Sequence, residues 1–193
     1  MNTPNKLTIL RMILVPFFLA VVLLNFKHNY LVALILFCLA SVTDWFDGML
    51  ARKHNLITNF GKFLDPLADK MLTTAALLAF IKMESIIPGA LIVAFITLFR
   101  EFVVAGVRLS AVADGGKVVA ANIWGKLKTV SQMFAIIIIL FALWLMKEGV
   151  VPFAVSNIIN ICGVALLWIS AVLTIISGVI YVVDNAKFID FRK

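Results

Sequence analysis

The chain has 193 residues, 63% of them hydrophobic and only 14% charged, with a formal net charge of +7. A soluble domain carries about a quarter charged residues, so this composition excludes one and describes an integral membrane protein with no expected nucleic-acid partner. At roughly 20 apolar residues per span, the length allows about six transmembrane helices with short connections and leaves no room for a soluble domain.

In chain order, residues 3–11 mix polar and apolar positions and read as a short interfacial segment leading into a first helix, Ile9–Asn25. That apolar run is taken as a retained helix, because no small-residue cleavage site introduces a polar mature region. A turn at 26–30 precedes a second helix, Leu31–Arg52, and a polar loop at 53–59 precedes a third, Phe60–Met83. The fourth is expected over Ile86–Val112, with Pro88 in its first turn. Residues 113–122 contain Asp114-Gly115-Gly116-Lys117, a turn signal. The fifth helix is expected over Ile123–Met146, and the sixth runs from Pro152 to about Val183. The fold class is thus all-α, six transmembrane helices behind a short interfacial segment. No repeat, low-complexity tract or linker divides residues 1–193, so a single domain is expected. Cys38 and Cys162 fall inside apolar runs, which argues for packed thiols and against a disulfide. His28 and His54 sit in connections, where a solvated or interfacial place is the default.

The most informative stretch runs from Asp44 to Asp69. It reads Asp44-x2-Asp47-Gly48-x2-Ala51-Arg52, then eight residues, then Gly61-x3-Asp65-x3-Asp69. At 100° per residue, Asp44, Asp47, Gly48 and Ala51 share one arc of the second helix, with Arg52 at its edge. Gly61, Asp65 and Asp69 likewise share a face of the third. A short connection makes these helices antiparallel neighbours, so all four acids lie at one membrane face. With those faces opposed, the carboxylates converge on a space kept open by Gly48, Ala51 and Gly61. Such hard oxygen ligands suit Mg²⁺ or Mn²⁺ and repel one another without a cation.

Every fixed position of this pattern resembles the signature of the CDP-alcohol phosphatidyltransferases. The resemblance implies transfer of a phosphatidyl group from CDP-diacylglycerol to an alcohol with release of CMP, on two divalent ions, in a homodimer. By that pattern Asp44, Asp47 and Asp65 would hold the ions, with a share for Asp69, and Asp69 would be the general base for the acceptor hydroxyl. Asp44, Gly48, Ala51, Arg52 and, in the loop, Thr58 would meet the CDP-diacylglycerol. The bland readings are close helix packing for Gly48 and Ala51 and a helix cap for Thr58. A divalent-cation transporter is the alternative from another class, although it leaves Gly48, Ala51 and Arg52 unexplained. A non-enzymatic scaffold is a third.

A second constellation is basic. Arg100 lies deep in the fourth helix, which is costly unless it faces protein, water or ligand. Arg108 returns to nearly the same face, whereas Glu101 projects about 100° away. On the fifth helix Gly125, Lys128, Thr129 and Gln132 make a polar stripe, with Lys126 beside it. These positions suggest a cationic site for a phosphate-bearing acceptor, with Arg100, Arg108, Lys126 and Lys128 as its phosphate ligands. Individually, Arg100 has a carboxylate partner as its plain alternative, and Lys126 a place among the charges that orient the chain. Gly125-Lys126-Leu127-Lys128-Thr129, the Arg100-Glu101 pair and Pro4-Asn5-x2-Thr8-x2-Arg11 resemble those family members whose acceptor is sn-glycerol 3-phosphate, making Asn5 and Thr8 further contributors. Phosphatidylglycerol and inositol phosphate are the rival acceptors. Of the 17 Lys and Arg residues, fourteen fall on the side of the termini and the acids, which sets that side as cytoplasmic.

Overall fold

The computed structural model describes residues 3–53, 59–113 and 123–186; the side chains of 3–7, 44–53, 59–66, 69 and 111–113 are not among those described. Among the described residues the secondary structure is six helices and no strand: α1 (Thr3–Leu23), α2 (Asn29–Lys53), α3 (Asn59–Ile81), α4 (Ala90–Ala113), α5 (Ile123–Glu148) and α6 (Phe153–Asp184). Three of them, over Ala90–Ser110, Ile123–Glu148 and Phe153–Asp184, are long and apolar enough to cross a membrane. The apolar stretches described in the other three are shorter: Thr8–Leu23, Asn29–Thr43 and Lys70–Ile81.

Two expected boundaries move. α1 is continuous from Thr3, so the first helix begins earlier than the expected Ile9. The proline at position 4 falls in the first turn, where its missing N–H costs no helical bond. Pro88 is not in the first turn of α4 either; residues 82–89 form turns, and Gly89 takes φ +80°. Glu84 explains the shift. Its carboxylate accepts from the backbone N–H of Gly89 (2.7 Å) and of Leu91 (3.2 Å), capping α4 from outside the helix. A Cβ at position 89 would also lie 2.2 Å from Trp168 Cζ2, whose ring N–H donates to the Pro88 carbonyl. The loop expected over 113–122 falls almost wholly outside the described residues, as does His54.

The core is a lipid-free interior of Phe18, Phe37, Phe80, Leu77, Ile136, Ile139, Leu140 and Leu167, all 0–1% exposed. Phe18 of α1 meets Phe37 of α2 at 5.8 Å between ring centroids. The closest helix pair is α5 with α6, where Gly163 leaves room for Ile139: a Cβ there would lie 2.8 Å from Ile139 Cγ1 and 3.2 Å from its backbone nitrogen. Small residues at such crossings let helices approach where no hydrophobic effect drives them together. Large apolar side chains cover the outside, including Phe95, Phe99, Phe102 and Leu109 of α4. Cys162 is exposed on this outer surface and is therefore not a packed thiol; Cys38 is partly buried, and both are free. α1 packs against both α2 and α3, while α2 and α3 meet along a narrower seam among the described residues.

One end of the bundle is latched by polar contacts. Lys147 donates to Asn25 Oδ1, the Phe26 carbonyl and Asn29 Oδ1, each at 2.8 Å. The His28 backbone N–H donates to Glu148, and Trp144 donates to His28 Nδ1. His28 thus lies in the connection between α1 and α2, as expected, and turns the chain there at φ +59°. Connections this short make successive helices antiparallel. The opposite end therefore gathers the start of α1, the end of α2, the start of α3, the end of α4, the start of α5 and the end of α6.

Candidate functional site

At that second end a cavity of about 240 Å³ opens between α3, α4, α5 and α6. Its walls carry Lys70 and Thr73 from α3, Thr97, Arg100, Glu101 and Arg108 from α4, Lys128 and Gln132 from α5, and Ser177 and Tyr181 from α6. Among the described residues four cations share the space with one carboxylate. Glu101 binds three of them: Lys70 Nζ sits 2.7 Å from Oε2, Lys128 Nζ 2.7 Å from Oε1, and Arg100 Nη1 2.9 Å from Oε1. Lys128 is 5% exposed, and a lysine so deep in an apolar helix stays charged only with partners of this kind.

Arg100 and Glu101, adjacent in sequence, were expected to diverge. Their long side chains converge instead, because the cavity lies between the two directions in which they leave α4. Gly178 lets Arg100 pass, and Gly125 lies in ordinary contact with its tip. A Cβ at Gly178 of α6 would lie 3.0 Å from Arg100 Cγ, and one at Gly125 of α5 would lie 3.6 Å from Nη2. The arginine thus occupies a slot between α5 and α6 that larger residues would narrow.

Several polar atoms in these walls are buried without a protein hydrogen-bond partner: Thr97 Oγ1, Gln132 Nε2, Arg100 Nε and Arg108 Nε. Leaving such a group unpaired costs about 1–3 kcal/mol. Together they form a donor-rich lining suited to an anion carrying hydroxyls. Arg108, unlike Arg100, has no carboxylate partner among the described residues.

The sequence-selected residues divide as follows. Arg100, Arg108 and Lys128 meet in the cavity as expected. Lys126 does not: it is exposed and absent from the walls, because two residues along a helix turn it about 200° from Lys128. Thr8 is buried at 1% in the first turns of α1, with Arg11 at 2% one turn on; the Asn5 side chain is not described. Lys70, Thr97, Ser177 and Tyr181 were missed. A lysine directly after Asp69 and a serine beside Gly178 were the available signals, but neither reveals proximity across helices.

The acids Asp44 and Asp47, with Gly48, Ala51 and Arg52, lie on the last turns of α2, and Asp65 and Asp69 on the first half of α3. Their side chains fall outside those described, as does Thr58 altogether. Helical register nevertheless carries positions 44, 47 and 51 along the line of Ala33, Phe37 and Ala40, each fully buried. Position 69 lies one turn before Thr73, a cavity-wall residue, and directly before Lys70, another. The acidic stretch and the cationic cavity therefore occupy the same end of the bundle. Among the described residues there is no other cluster of metal-ligand type, and four carboxylates are the donor set that a hard divalent ion takes.

Comparison with known proteins shows which family the chain resembles. The family described as CDP-alcohol phosphatidyltransferase matches residues 1–176. A Bacillus subtilis relative, named CDP-diacylglycerol–glycerol-3-phosphate 3-phosphatidyltransferase, is 39% identical over 196 residues, covering 95% of each chain. A Rickettsia bellii relative of the same name is 40% identical over 186 residues, covering 93% of each. One from Haemophilus influenzae, also so named, is 36% identical over 182 residues, covering 93% of this chain and 91% of its own. With most of its length matched in this way, the chain belongs to the CDP-alcohol phosphatidyltransferase family.

Proposed function

We propose that the protein transfers the phosphatidyl group of CDP-diacylglycerol to sn-glycerol 3-phosphate, giving phosphatidylglycerophosphate and CMP. One observation carries the choice of acceptor: four cations, Lys70, Arg100, Arg108 and Lys128, wall a small cavity at the end of the bundle that bears the acidic stretch. An uncharged alcohol would have no use for them, whereas a phosphate monoester would be held by paired, charge-assisted bonds. The names of the three relatives agree with this reading.

In the reaction, an acceptor hydroxyl oxygen bonds to the phosphatidyl phosphorus. The bond from that phosphorus to the bridging pyrophosphate oxygen breaks, and CMP leaves with the electron pair. Asp69 takes the hydroxyl proton, a role supported by its sequence position one turn before the cavity-wall residue Thr73. Asp44, Asp47, Asp65 and Asp69 would hold Mg²⁺ or Mn²⁺, which would supply neutralisation of the pyrophosphate and of the departing CMP. Gly48 and Ala51 let the nucleotide approach the α2 backbone, and Arg52 and Thr58 meet its phosphates or base. Arg100, Arg108 and Lys128 fix the acceptor phosphate, while Gln132 and Thr97 are placed for its hydroxyls. Holding the two reactants side by side accounts for several kcal/mol of the barrier.

The same reading includes six membrane spans, with the site at the cytoplasmic face of the cell membrane, supported by the asymmetry of Lys and Arg. It also includes a homodimer, implied by the family resemblance. The test is incorporation of radiolabelled glycerol 3-phosphate into organic-extractable lipid by purified protein with CDP-diacylglycerol. Label in lipid that needs Mg²⁺ or Mn²⁺ and is lost in Asp69→Asn is the expected result. Label that persists in Asp69→Asn or in excess EDTA would refute the assigned roles.

A further inference from the structure

Among the described residues Glu101 is the one acid beside the cavity's four cations, and the reaction as derived does not use it. We infer that Glu101 is a specificity-determining residue: its carboxylate occupies the cations an acceptor phosphate would take, so that the phosphate must compete with it for them. The inference rests on the acceptor site proposed above.

The geometry is that of a bound oxyanion. Both carboxylate oxygens are engaged, by Lys70, Arg100 and Lys128 from three different helices, at 2.7–2.9 Å. All three cations stand in the cavity wall, as does Glu101 itself. A purely structural ion pair needs one partner, and three converging cations are more than one carboxylate can neutralise. Among the described lining residues the cations outnumber the acid four to one. An arriving phosphate dianion meets strong attraction from the cations together with repulsion from the carboxylate already seated on them. Weakly charged anions lose that competition, and a dianion with further contacts to Arg108, Gln132 and Thr97 wins it. Discrimination obtained by an unfavourable contact lowers the affinity for every anion in exchange for selectivity. The carboxylate also keeps the lysines paired and oriented whenever the cavity holds no substrate.

The test compares wild type with Glu101→Gln, using inorganic phosphate as the probe, in two readouts: its inhibition constant against glycerol 3-phosphate and the rise in unfolding temperature it causes. Glutamine keeps the shape and removes the competing charge. The expected result is tighter phosphate inhibition, by tenfold or more (about 1.4 kcal/mol per tenfold), with a larger phosphate-induced stabilisation than in wild type. Unchanged or weaker inhibition would overturn the inference, because a merely structural glutamate can only loosen the site when lost. Should Glu101→Gln fail to fold, Glu101→Asp decides. One methylene shorter, it cannot keep all three cations, and phosphate inhibition tightens less strongly but in the same direction; no tightening overturns the proposal. Arg108→Met separates the two levels. If it leaves both the KM for glycerol 3-phosphate and the phosphate inhibition at wild-type values, the acceptor site fails and the role of Glu101 with it. If it weakens both while Glu101→Gln tightens nothing, the role of Glu101 alone fails.

Discussion

Arg108 offers the cleanest separation of function from stability in this site. Its Nε is buried without a hydrogen-bond partner, and no described carboxylate pairs with it. Replacement by methionine keeps most of the volume and removes only the charge. Because no partner among the described residues is stranded, the fold should lose about 0.5 kcal/mol or less, about 1–2 °C in the unfolding temperature of a protein this size. A charged hydrogen bond to the acceptor phosphate is worth about 1.5–3 kcal/mol, so kcat/KM for glycerol 3-phosphate should fall roughly 10- to 150-fold. The loss should appear mainly in KM, since the phosphate is held alike in the ground and transition states. CMP release at varied glycerol 3-phosphate, beside thermal unfolding in detergent, measures both. A kcat/KM within twofold of wild type would refute the reasoning, and so would a loss that tracks a comparable drop in stability.

The remaining predictions concern helix contacts. Gly178→Ala places a Cβ 3.0 Å from Arg100 Cγ; moving that stem at a cost of about 1 kcal/mol should raise the KM for glycerol 3-phosphate about fivefold, and an unchanged KM would show that Arg100 does not depend on the slot. Gly163→Ala forces α5 and α6 apart against Ile139, an overpacking worth about 1–3 kcal/mol that should be visible as a lower unfolding temperature. Glu84→Ala removes the cap at the start of α4, a loss of about 1 kcal/mol. Its unfolding temperature should fall by about 2–4 °C with kcat/KM unchanged, because Glu84 lies at the end of the bundle away from the site.

What could be read in advance followed from which forces act along the chain and which act across it. Apolar runs and polar breaks located all six helices, and helical periodicity brought Arg100, Arg108 and Lys128 to one site. The start of α4 was misplaced because a glutamate five residues upstream of Gly89 caps the helix, overriding the apolar pattern from Ile86. Lys126, expected beside Lys128, is exposed and outside the cavity wall, because helical geometry turns it away. The convergence of Arg100 and Glu101 depends on long side chains bending into a shared space, and α6 joins the site through Ser177 and Tyr181 and through Gly178, which admits Arg100 from α4. Contacts between helices of this kind leave no periodic mark in a sequence.

The central claim joins an acidic stretch that activates CDP-diacylglycerol to a cationic cavity that selects the acceptor. Its most direct test is CMP release by the purified protein with CDP-diacylglycerol and Mg²⁺ or Mn²⁺, offered glycerol 3-phosphate, inositol phosphate or phosphatidylglycerol. The account predicts release with glycerol 3-phosphate alone, abolished in Asp69→Asn. Release with another acceptor would contradict the assignment of the cavity, and no release with any acceptor would contradict the account as a whole.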